Sequence, residues 1–379
     1  MDNSIMIVAG EASGDLHGAN LVLALKKRQP GLSFCGMGGS GMRAAGVELL
    51  YDASKIAVVG LIEVLSHFKD ILAARQILIH RLQSQPPSLL ILIDYPDFNL
   101  RLAARAKKLN IPVFYYISPQ VWAWRTGRVA TIRRLVDRMA VVLPFEKDFY
   151  QQEGMTVDFV GHPLLDIIGP HHWQERQARK RIFPISKPVI GILPGSRQKE
   201  IETLLPIFLQ AAKKLTGGVY EPSLLMPMIP DIAQQDFIRT CLAGYDFDIR
   251  IVASNRYEAM AECDAVMVAS GTVTLELAIL GVPMVVAYRI APLTHLIAKR
   301  FIKVEYASLV NLIAPRKVVA ELLQYEATAE NLYNEICKIL NYKDFHDTMM
   351  GGFDDVRNRL GDAGASDRTA QIVLEMLGA

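Results

Sequence analysis

Short apolar runs alternate along the chain with longer segments of helical period. Six runs in the first half have the length and continuity of buried strands: Ile5–Ala9, Leu32–Cys35, Leu89–Ile93, Val113–Tyr116, Met139–Leu143 and Val157–Val160. Between them, segments such as Leu16–Lys27, Leu61–Leu82 and Leu100–Leu109 repeat apolar residues at helical spacing. Because the strand-like runs are apolar throughout, they predict a parallel sheet that helices cover on both faces.

The same rhythm starts again after a polar interruption at Gly169–Gln174, which we interpret as a linker. Five further runs predict a second set of strands: Val189–Leu193, Leu224–Met226, Ile249–Val252, Ala265–Val268 and Pro283–Ala287. A chain of 379 residues is also about twice the usual domain length.

We therefore predict an α/β protein of two doubly wound, Rossmann-like domains, residues 1–168 and 169–340, facing a central cleft. Residues 341–379 have a helical pattern, and we expect them to pack back on the first domain of the same chain or of a partner. Ligands of such folds bind at the carboxyl ends of the strands, so the loops that follow strands should carry the function.

Composition excludes several classes of protein. Hydrophobic residues make up 51% and charged residues 21%, which excludes a disordered chain. The 41 basic and 39 acidic residues give a net charge of +2, too balanced for a general nucleic-acid binder. The four cysteines are scattered, which favours a reducing compartment and argues against a disulfide framework or a zinc knuckle. We expect no signal peptide and no membrane span, and hence a soluble or peripheral protein.

Polar residues follow three strands of the first domain. Gly10–Asp15 joins a strand to a helix, and its glycines allow a close approach to a ligand, although Ser13 or Asp15 can also serve only as a helix cap. Asp94 follows a strand beside aromatic residues, where a partly buried carboxylate can act as a general base. Ser118–Arg125 carries two tryptophans, which suit a recognition surface or, nearly as well, the core.

Other features of the first domain have simpler interpretations. Asp97 or Asn99 is expected to cap the next helix, and His162 to be a hinge or packing residue, with a role in the cleft left open. The Gly36–Gly41 loop has the spacing of a dinucleotide fingerprint, but it follows the second strand and lacks the acidic residue expected beyond it. We interpret it as a loop of the cleft.

Two loops of the second domain are suited to an anion. Arg197 lies in a Gly-Ser-Arg turn after a strand, a setting that favours phosphate binding. Ser270–Glu276 combines a strand end, a Gly-Thr turn and a helix start, and Glu276 lies one turn beyond Thr272 on the same face. A carboxylate there can accept both hydroxyls of a ribose whose diphosphate rests on the helix end. Asp246–Asp248 precedes a strand, so we interpret its Asp-x-Asp pattern as chance, and we expect no metal site.

One segment of the first domain is unusually apolar at its start. Ile56–Leu72 either packs as an ordinary helix or contacts a membrane and acyl chains. The residues proposed for that contact are Val58, Val59, Leu61, Ile62, Leu65 and Phe68.

At these positions the chain resembles the lipid-A-disaccharide synthase family almost from end to end. Seven motifs carry the likeness, in one order: Gly10–Asp15, Asp94–Asn99, Ser118–Arg125, Leu143–Lys147, Leu193–Arg197, Ser270–Glu276 and Leu309–Leu312. So many motifs in one order make the resemblance specific.

The resemblance implies a GT-B glycosyltransferase that needs no cofactor. The implied reaction joins UDP-2,3-diacylglucosamine to 2,3-diacylglucosamine 1-phosphate (lipid X). It gives the β(1→6)-linked lipid A disaccharide 1-phosphate and UDP, with inversion and without a metal ion. The resemblance also implies a Gram-negative bacterium, a cytoplasmic location with peripheral contact at the cytoplasmic face of the inner membrane, and no nucleic-acid partner. A homodimer stays open.

Matched position by position, the resemblance makes Asp94 the essential carboxylate and the candidate base. It assigns Glu11, Ser13 and Asp15 to the acceptor cleft. Six residues are assigned to the nucleotide sugar: Arg197, Ser270, Gly271, Thr272, Glu276 and Asn311. Tyr95 stands where the family pattern has a small residue, and it is expected to alter the fit of the acceptor or of an acyl chain.

Three rival functions remain on the residues alone. A UDP-sugar 2-epimerase shares the Ser-Gly-Thr…Glu arrangement. A nicotinamide dehydrogenase rests on the Gly36–Gly41 loop, and a non-catalytic lipid-binding protein rests on the apolar segment Ile56–Leu72.

Overall fold

The computed structural model describes residues 4–55, 68–124, 126–178, 182–228, 232–290 and 304–378. The chain forms two compact units. The first contains Met1–Asp166 and Leu360–Ala379, and the second contains Ile167–Arg359. Of the residues proposed for membrane contact, Val58, Val59, Leu61, Ile62 and Leu65 lie outside the described residues.

The first unit is built on a parallel sheet of seven strands, in the order β3-β2-β1-β4-β5-β6-β7. The strands are β1 Ser4–Ala9, β2 Ser33–Gly38, β3 Glu48–Asp52, β4 Leu89–Ile93, β5 Val113–Tyr116, β6 Arg138–Val141 and β7 Asp158–Phe159. All six predicted strands are confirmed. The sequence prediction missed β3, an edge strand whose side chains are only partly buried, because it lacks the uninterrupted apolar run of the central strands.

Helices cover this sheet, and their apolar faces form its core with the strands. They span Ala12–Arg28, Ser40–Ala44, Phe68–Ser84, Pro96–Lys108, Val121–Trp124, Val129–Leu135, Pro144–Gln152, Leu164–Ile168 and Ala365–Leu377, with short 3₁₀ turns at Ala53–Lys55 and Thr126–Arg128. The central strands β1 and β4 are fully buried, as expected for a parallel sheet covered on both sides.

The second unit has a parallel sheet of six strands, in the order β10-β9-β8-β11-β12-β13. The strands are β8 Val189–Leu193, β9 Ser223–Pro227, β10 Ile249–Val252, β11 Ala265–Ala269, β12 Met284–Tyr288 and β13 Ala320–Leu323. The five predicted strands are confirmed. The prediction missed β13, which carries the charged Glu321 in its second position.

The helices of the second unit include the segment predicted to be a linker. They span Pro170–Ala178, Gln198–Thr216, Ile232–Leu242, Arg256–Glu262, Thr272–Leu280, Leu309–Ile313, Ala329–Asn341 and Lys343–Arg359, with a 3₁₀ turn at Gln324–Glu326. The linker prediction was wrong, because Trp173 and Arg176 of the first helix are buried. The Arg176 guanidinium donates to the carbonyls of Ala261 and Gly281, which anchors this polar helix in the unit.

The C-terminal tail is helical, as predicted, but its two last helices belong to different units. Lys343–Arg359 is part of the second unit, which corrects the expectation that all of residues 341–379 packs on the first domain. Ala365–Leu377 packs on Ala12–Arg28 in the first unit. The Asp166 carboxylate accepts the backbone N–H groups of residues 364–366 at the start of that helix, which satisfies donors that a helix leaves unpaired at its N-terminus.

Within the described ranges, no helix combines the length and the apolar character that crossing a membrane requires.

Candidate active site

Three neighbouring strands of the first unit end next to candidate functional residues. Strands β1, β4 and β5 are adjacent in the sheet, and Glu11, Asp94 and Ser118 follow them in the chain. Because parallel strands present their carboxyl ends at one edge, these residues converge there. We call this group, together with Glu146, the Asp94 site.

An unusual backbone turn directs Asp94. Both Asp94 and Tyr95 are left-handed, with φ of 46° and 45°, a conformation that costs a non-glycine residue about 1–2 kcal/mol. The Nδ2 group of Asn99 donates to the carbonyls of Ile93 at 3.1 Å and Asp94 at 2.7 Å. The Tyr115 hydroxyl donates to the same Asp94 carbonyl. These buried donors stabilise the turn and fix the direction of the Asp94 side chain.

Tyr95 packs against the end of β1. A Cβ atom at Gly10 would lie 2.4 Å from the Tyr95 ring, so only glycine allows this approach. The Tyr95 ring also packs on Phe98, with 5.6 Å between ring centroids. Its place beside Asp94 is therefore set by the local packing.

The environment of Asp94 raises the pKa of its carboxyl group to about 7. Burial is the largest cause, and the nearby negative charges of Glu11 and Glu146 act in the same direction, while the Tyr95 backbone N–H opposes them. A carboxylate with a pKa near neutrality can accept a proton from an alcohol and release it again. These are the properties predicted for a general base.

Glu146 organises the loop beside Asp94, and sequence reasoning assigned it no role of its own. Its buried carboxylate accepts Ser118 Oγ at 2.7 Å and Trp122 Nε1 at 3.1 Å, and it also accepts two backbone N–H groups of residues 142–143. Burial nevertheless raises its pKa. In the sequence, Glu146 lies in the family motif Leu143–Lys147 and at the third position of a helix that starts with Pro144. That position is typical of an ordinary cap.

Glu11 and Ser13 lie where a ligand can reach them. Ser13 is exposed and Glu11 is partly exposed. Glu11 occupies the N-cap position of Ala12–Arg28 without making a side-chain cap hydrogen bond. Neither Ser13 nor Asp15 stands at that cap position, so the helix-cap interpretation of these two residues does not hold.

Asp15 has a structural role instead. Its carboxylate accepts the backbone N–H groups of Gly39 at 2.6 Å, Gly41 at 2.8 Å and Met42 at 3.0 Å. A Cβ atom at Gly39 or Gly41 would lie within 3.0 Å of that carboxylate. The glycines of the fingerprint-like loop therefore admit the Asp15 side chain. The contact of Asp15 with an acceptor stays a prediction.

The remaining candidates of the first unit mostly serve packing. Trp122 is buried and meets Phe145 edge to face at 4.8 Å, which favours the core over a recognition surface. His162 is buried and accepts the Leu164 backbone N–H through Nδ1, and burial lowers its pKa to about 3. Asp97 is exposed and pairs with Arg128 at 2.5 Å.

In the second unit, two adjacent strands lead to the anion-binding candidates. Strands β8 and β11 are neighbours, with Arg197 following the first and Ser270–Thr272 the second. Arg197 is half exposed and donates to Glu200 at 3.2 Å. A guanidinium group has five N–H donors, so this single bond leaves donors for a phosphate.

The helix Thr272–Leu280 begins beside open space. A Cβ atom at Gly271 would have nothing within 4 Å among the described residues, and Ser270 donates to the Ala307 carbonyl at 2.8 Å. The N-terminus of such a helix carries partial positive charge and unpaired N–H groups that favour an anion. Its first residue, Thr272, was predicted for that role.

Glu276 is buried, with an exposed side-chain fraction of 7%. Its Oε1 atom accepts Arg256 Nη2 at 2.8 Å and, more weakly, the Tyr257 hydroxyl at 3.4 Å. Its Oε2 atom is buried and has no hydrogen-bond partner among the described residues. Burial raises the pKa of Glu276, whereas Arg256 opposes that shift. We call these three residues the Glu276 site.

Arg256 and Tyr257 could not be identified from the sequence because they start a separate helix, well before Glu276 in the chain.

Asn311 was assigned to the nucleotide, but its side-chain amide makes all of its hydrogen bonds within the unit. Nδ2 donates to Val319 O and Glu321, and Oδ1 accepts the backbone N–H groups of residues 318–319. Asn311 therefore fixes the start of β13.

Metal ligands need several His, Cys, Asp or Glu side chains in one place. Across the part of the chain that the structure describes, no group of three or more such residues could hold a metal ion.

Two solved structures illustrate this fold. A UDP-GlcNAc 2-epimerase from Neisseria meningitidis bound to UDP-GlcNAc superposes with a TM-score of 0.64, over 98% of this chain and 100% of the other, at 14% identity. The glycotransferase of kitacinnamycin gives a TM-score of 0.64 over 99% of both chains, at 15% identity. The two parallel sheets therefore define the GT-B class of α/β fold.

Sequence comparison is more specific. The family model described as Lipid-A-disaccharide synthetase matches residues 5–374. The lipid-A-disaccharide synthase of Geobacter metallireducens is 48% identical over 99% of this chain and 97% of its own length. The chain thus belongs to the lipid-A-disaccharide synthase family and is a glycosyltransferase of lipid A biosynthesis.

The Asn99→Ala variant tests the importance of the left-handed turn. Asn99→Ala removes one donor from the Ile93 carbonyl and one from the Asp94 carbonyl, and leaves the latter with Tyr115 alone. The free energy of unfolding should therefore fall by about 1–3 kcal/mol. Turnover should fall by about tenfold or more, because a small displacement of a catalytic group costs that much. Denaturant unfolding and initial rates measure both effects.

Asn334 lies exposed on the helix Ala329–Asn341, so Asn334→Ala serves as the matched control and should leave both quantities unchanged. Wild-type turnover and stability in Asn99→Ala would show that the turn does not depend on this side chain.

Proposed function

We propose that this chain transfers the diacylglucosamine unit of UDP-2,3-diacylglucosamine to the 6-hydroxyl of 2,3-diacylglucosamine 1-phosphate. The products are the β(1→6)-linked tetraacyl disaccharide 1-phosphate and UDP. Family membership supports the reaction. The observation that carries the chemistry is Asp94, whose pKa of about 7 suits a general base.

The proposed step is a direct displacement with inversion. Asp94 takes the proton of the acceptor 6-hydroxyl while the oxygen atom of that hydroxyl forms a bond to the anomeric carbon of the donor. The bond from that carbon to the diphosphate oxygen breaks, and UDP leaves with the electron pair. General-base help of this kind contributes roughly 10²–10⁴ in rate.

In this proposal, protein donors stabilise the charge that develops on the diphosphate and take the place of a metal ion. Arg197 supplies guanidinium N–H groups, and the helix start at Gly271–Thr272 supplies backbone N–H groups. Glu276 accepts the ribose hydroxyls through its unpaired Oε2 atom. The nucleotide is thus recognised by its sugar and its charge.

We also propose that the protein meets its substrates at the cytoplasmic face of the inner membrane. Both substrates carry acyl chains, which favour a membrane surface. The apolar segment around Val58–Leu65 is the sequence feature that supports this contact.

The reaction is tested by analysis of its products. Purified protein with both substrates should yield the tetraacyl disaccharide 1-phosphate, detected by mass spectrometry, together with free UDP. Donor alone distinguishes the epimerase alternative, because an epimerase alters its nucleotide sugar without an acceptor. Conversion of the donor alone, with no disaccharide from the mixture, contradicts the proposal.

Asp94→Asn removes the base and keeps the shape of the side chain. Turnover should fall by about 10²–10⁴, while affinity for UDP, measured by calorimetry, should stay unchanged because the nucleotide contacts lie in other residues. The exposed Asp97 provides the control, since Asp97→Asn should retain nearly full turnover. An Asp94→Asn enzyme of normal activity would refute the assignment of the base.

The pH profile should follow the ionisation of Asp94. The group must be ionised to accept a proton, so kcat/KM should rise with pH, reach half its limit near pH 7, and fall about tenfold for each unit below. Glu11→Gln removes a charge that raises the pKa of Asp94, so it should move the midpoint to lower pH. A midpoint near the ordinary aspartate value would contradict this interpretation.

A further inference from the structure

We infer that Arg256 is a positioning residue for nucleotide recognition, holding Glu276 by Oε1 so that Oε2 remains free for the ribose hydroxyls. This inference rests on the proposed role of Glu276 as the ribose-binding carboxylate. Arg256 itself has no assigned role in that proposal.

The two carboxylate oxygen atoms of Glu276 differ in their hydrogen bonding. Oε1 accepts two donors, Arg256 Nη2 at 2.8 Å and the Tyr257 hydroxyl at 3.4 Å. Oε2 is buried, yet it has no partner among the described residues. Buried polar atoms are normally hydrogen-bonded, so an unpaired carboxylate oxygen points to a ligand donor.

Arg256 is itself held in place by Tyr257. Its guanidinium lies 4.7 Å from the centre of the Tyr257 ring, and Nη2 is 2.8 Å from the Tyr257 hydroxyl. Stacking and hydrogen bonding on one aromatic side chain restrict a long side chain that otherwise has many rotamers. Glu276 thus accepts a hydrogen bond from the Arg256 guanidinium, whose own position is fixed.

The Arg256–Glu276 pair differs in burial from a surface ion pair in the same unit. Arg250 pairs with Glu262 at 2.7 Å, but both side chains are more than half exposed. An exposed pair contributes little. In the Arg256–Glu276 pair, only 7% of the Glu276 side chain is exposed, and loss of the partner would leave a buried carboxylate uncompensated.

Without Arg256, Glu276 would be driven toward its neutral form, because burial raises its pKa and Arg256 is the group that opposes this shift most strongly. A neutral carboxyl group donates one hydrogen bond and is a poorer acceptor. The affinity for ribose hydroxyls should fall even though Arg256 does not contact them.

The test compares UDP with 2′-deoxy-UDP, because only the former has a 2′-hydroxyl for Oε2. Calorimetric Kd values should show that the wild-type protein prefers UDP by about tenfold. The preference should vanish in Glu276→Gln, shrink several-fold in Arg256→Met and recover in part in Arg256→Lys. Arg250→Met is the matched control and should bind both nucleotides as the wild-type protein does.

The outcomes separate this inference from the proposed function. If Glu276→Gln loses the preference but Arg256→Met keeps it, the inference about Arg256 is overturned while the ribose assignment stands. If Glu276→Gln keeps the preference, the ribose assignment itself is wrong. Should Arg256→Met fail to fold, Tyr257→Phe provides the test, since loss of its hydroxyl loosens the same grip; an unchanged preference there counts against the inference.

Discussion

The hydrogen bonds from Asn99 and Tyr115 to the Asp94 carbonyl are the interaction on which the placement of Asp94 depends. They stabilise two consecutive left-handed residues that the backbone would otherwise avoid. The Asp94 carboxylate at this turn is close enough to Glu11 and Glu146 for their charges to act on it. A relaxed backbone would offer the same residue in a different direction, so the donors of the turn are part of the functional geometry.

The two units use a buried carboxylate in opposite ways. Burial raises the pKa of Asp94, and the negative charges of Glu11 and Glu146 add to that shift. Glu276 lies against Arg256, whose charge opposes the effect of burial. One environment favours proton transfer and the other favours steady acceptance of hydrogen bonds. The residue types alone do not reveal these two environments, because each depends on the groups that the fold brings close to the carboxylate.

The sequence predicted the architecture well because buried parallel strands have an unmistakable apolar pattern. It failed at the edge strands, Glu48–Asp52 and Ala320–Leu323, where partial exposure or a buried charge breaks that pattern. It also failed at Pro170–Ala178, since Trp173 and Arg176 are buried by partners distant in the chain. Polar composition cannot reveal such partners.

Among the candidate site residues, Asp94 and Glu276 could be proposed from the sequence because each lies in a recognisable motif after a strand. The roles of Asp15 and Asn311 were not predictable in this way. Their side chains bind backbone groups that only the folded chain brings near. The same is true of Glu146, which accepts hydrogen bonds from Ser118 and Trp122, and of Arg256, which donates to Glu276.

The division of the C-terminal tail has a consequence for biosynthesis. Leu360–Ala379 belongs to the unit that begins at the N-terminus, so a ribosome makes the whole second unit before it releases the last helix of the first. Until then, the face of Ala12–Arg28 that contacts this last helix is uncovered in the nascent first unit. Domains generally fold as they emerge, and uncovered apolar surface invites aggregation.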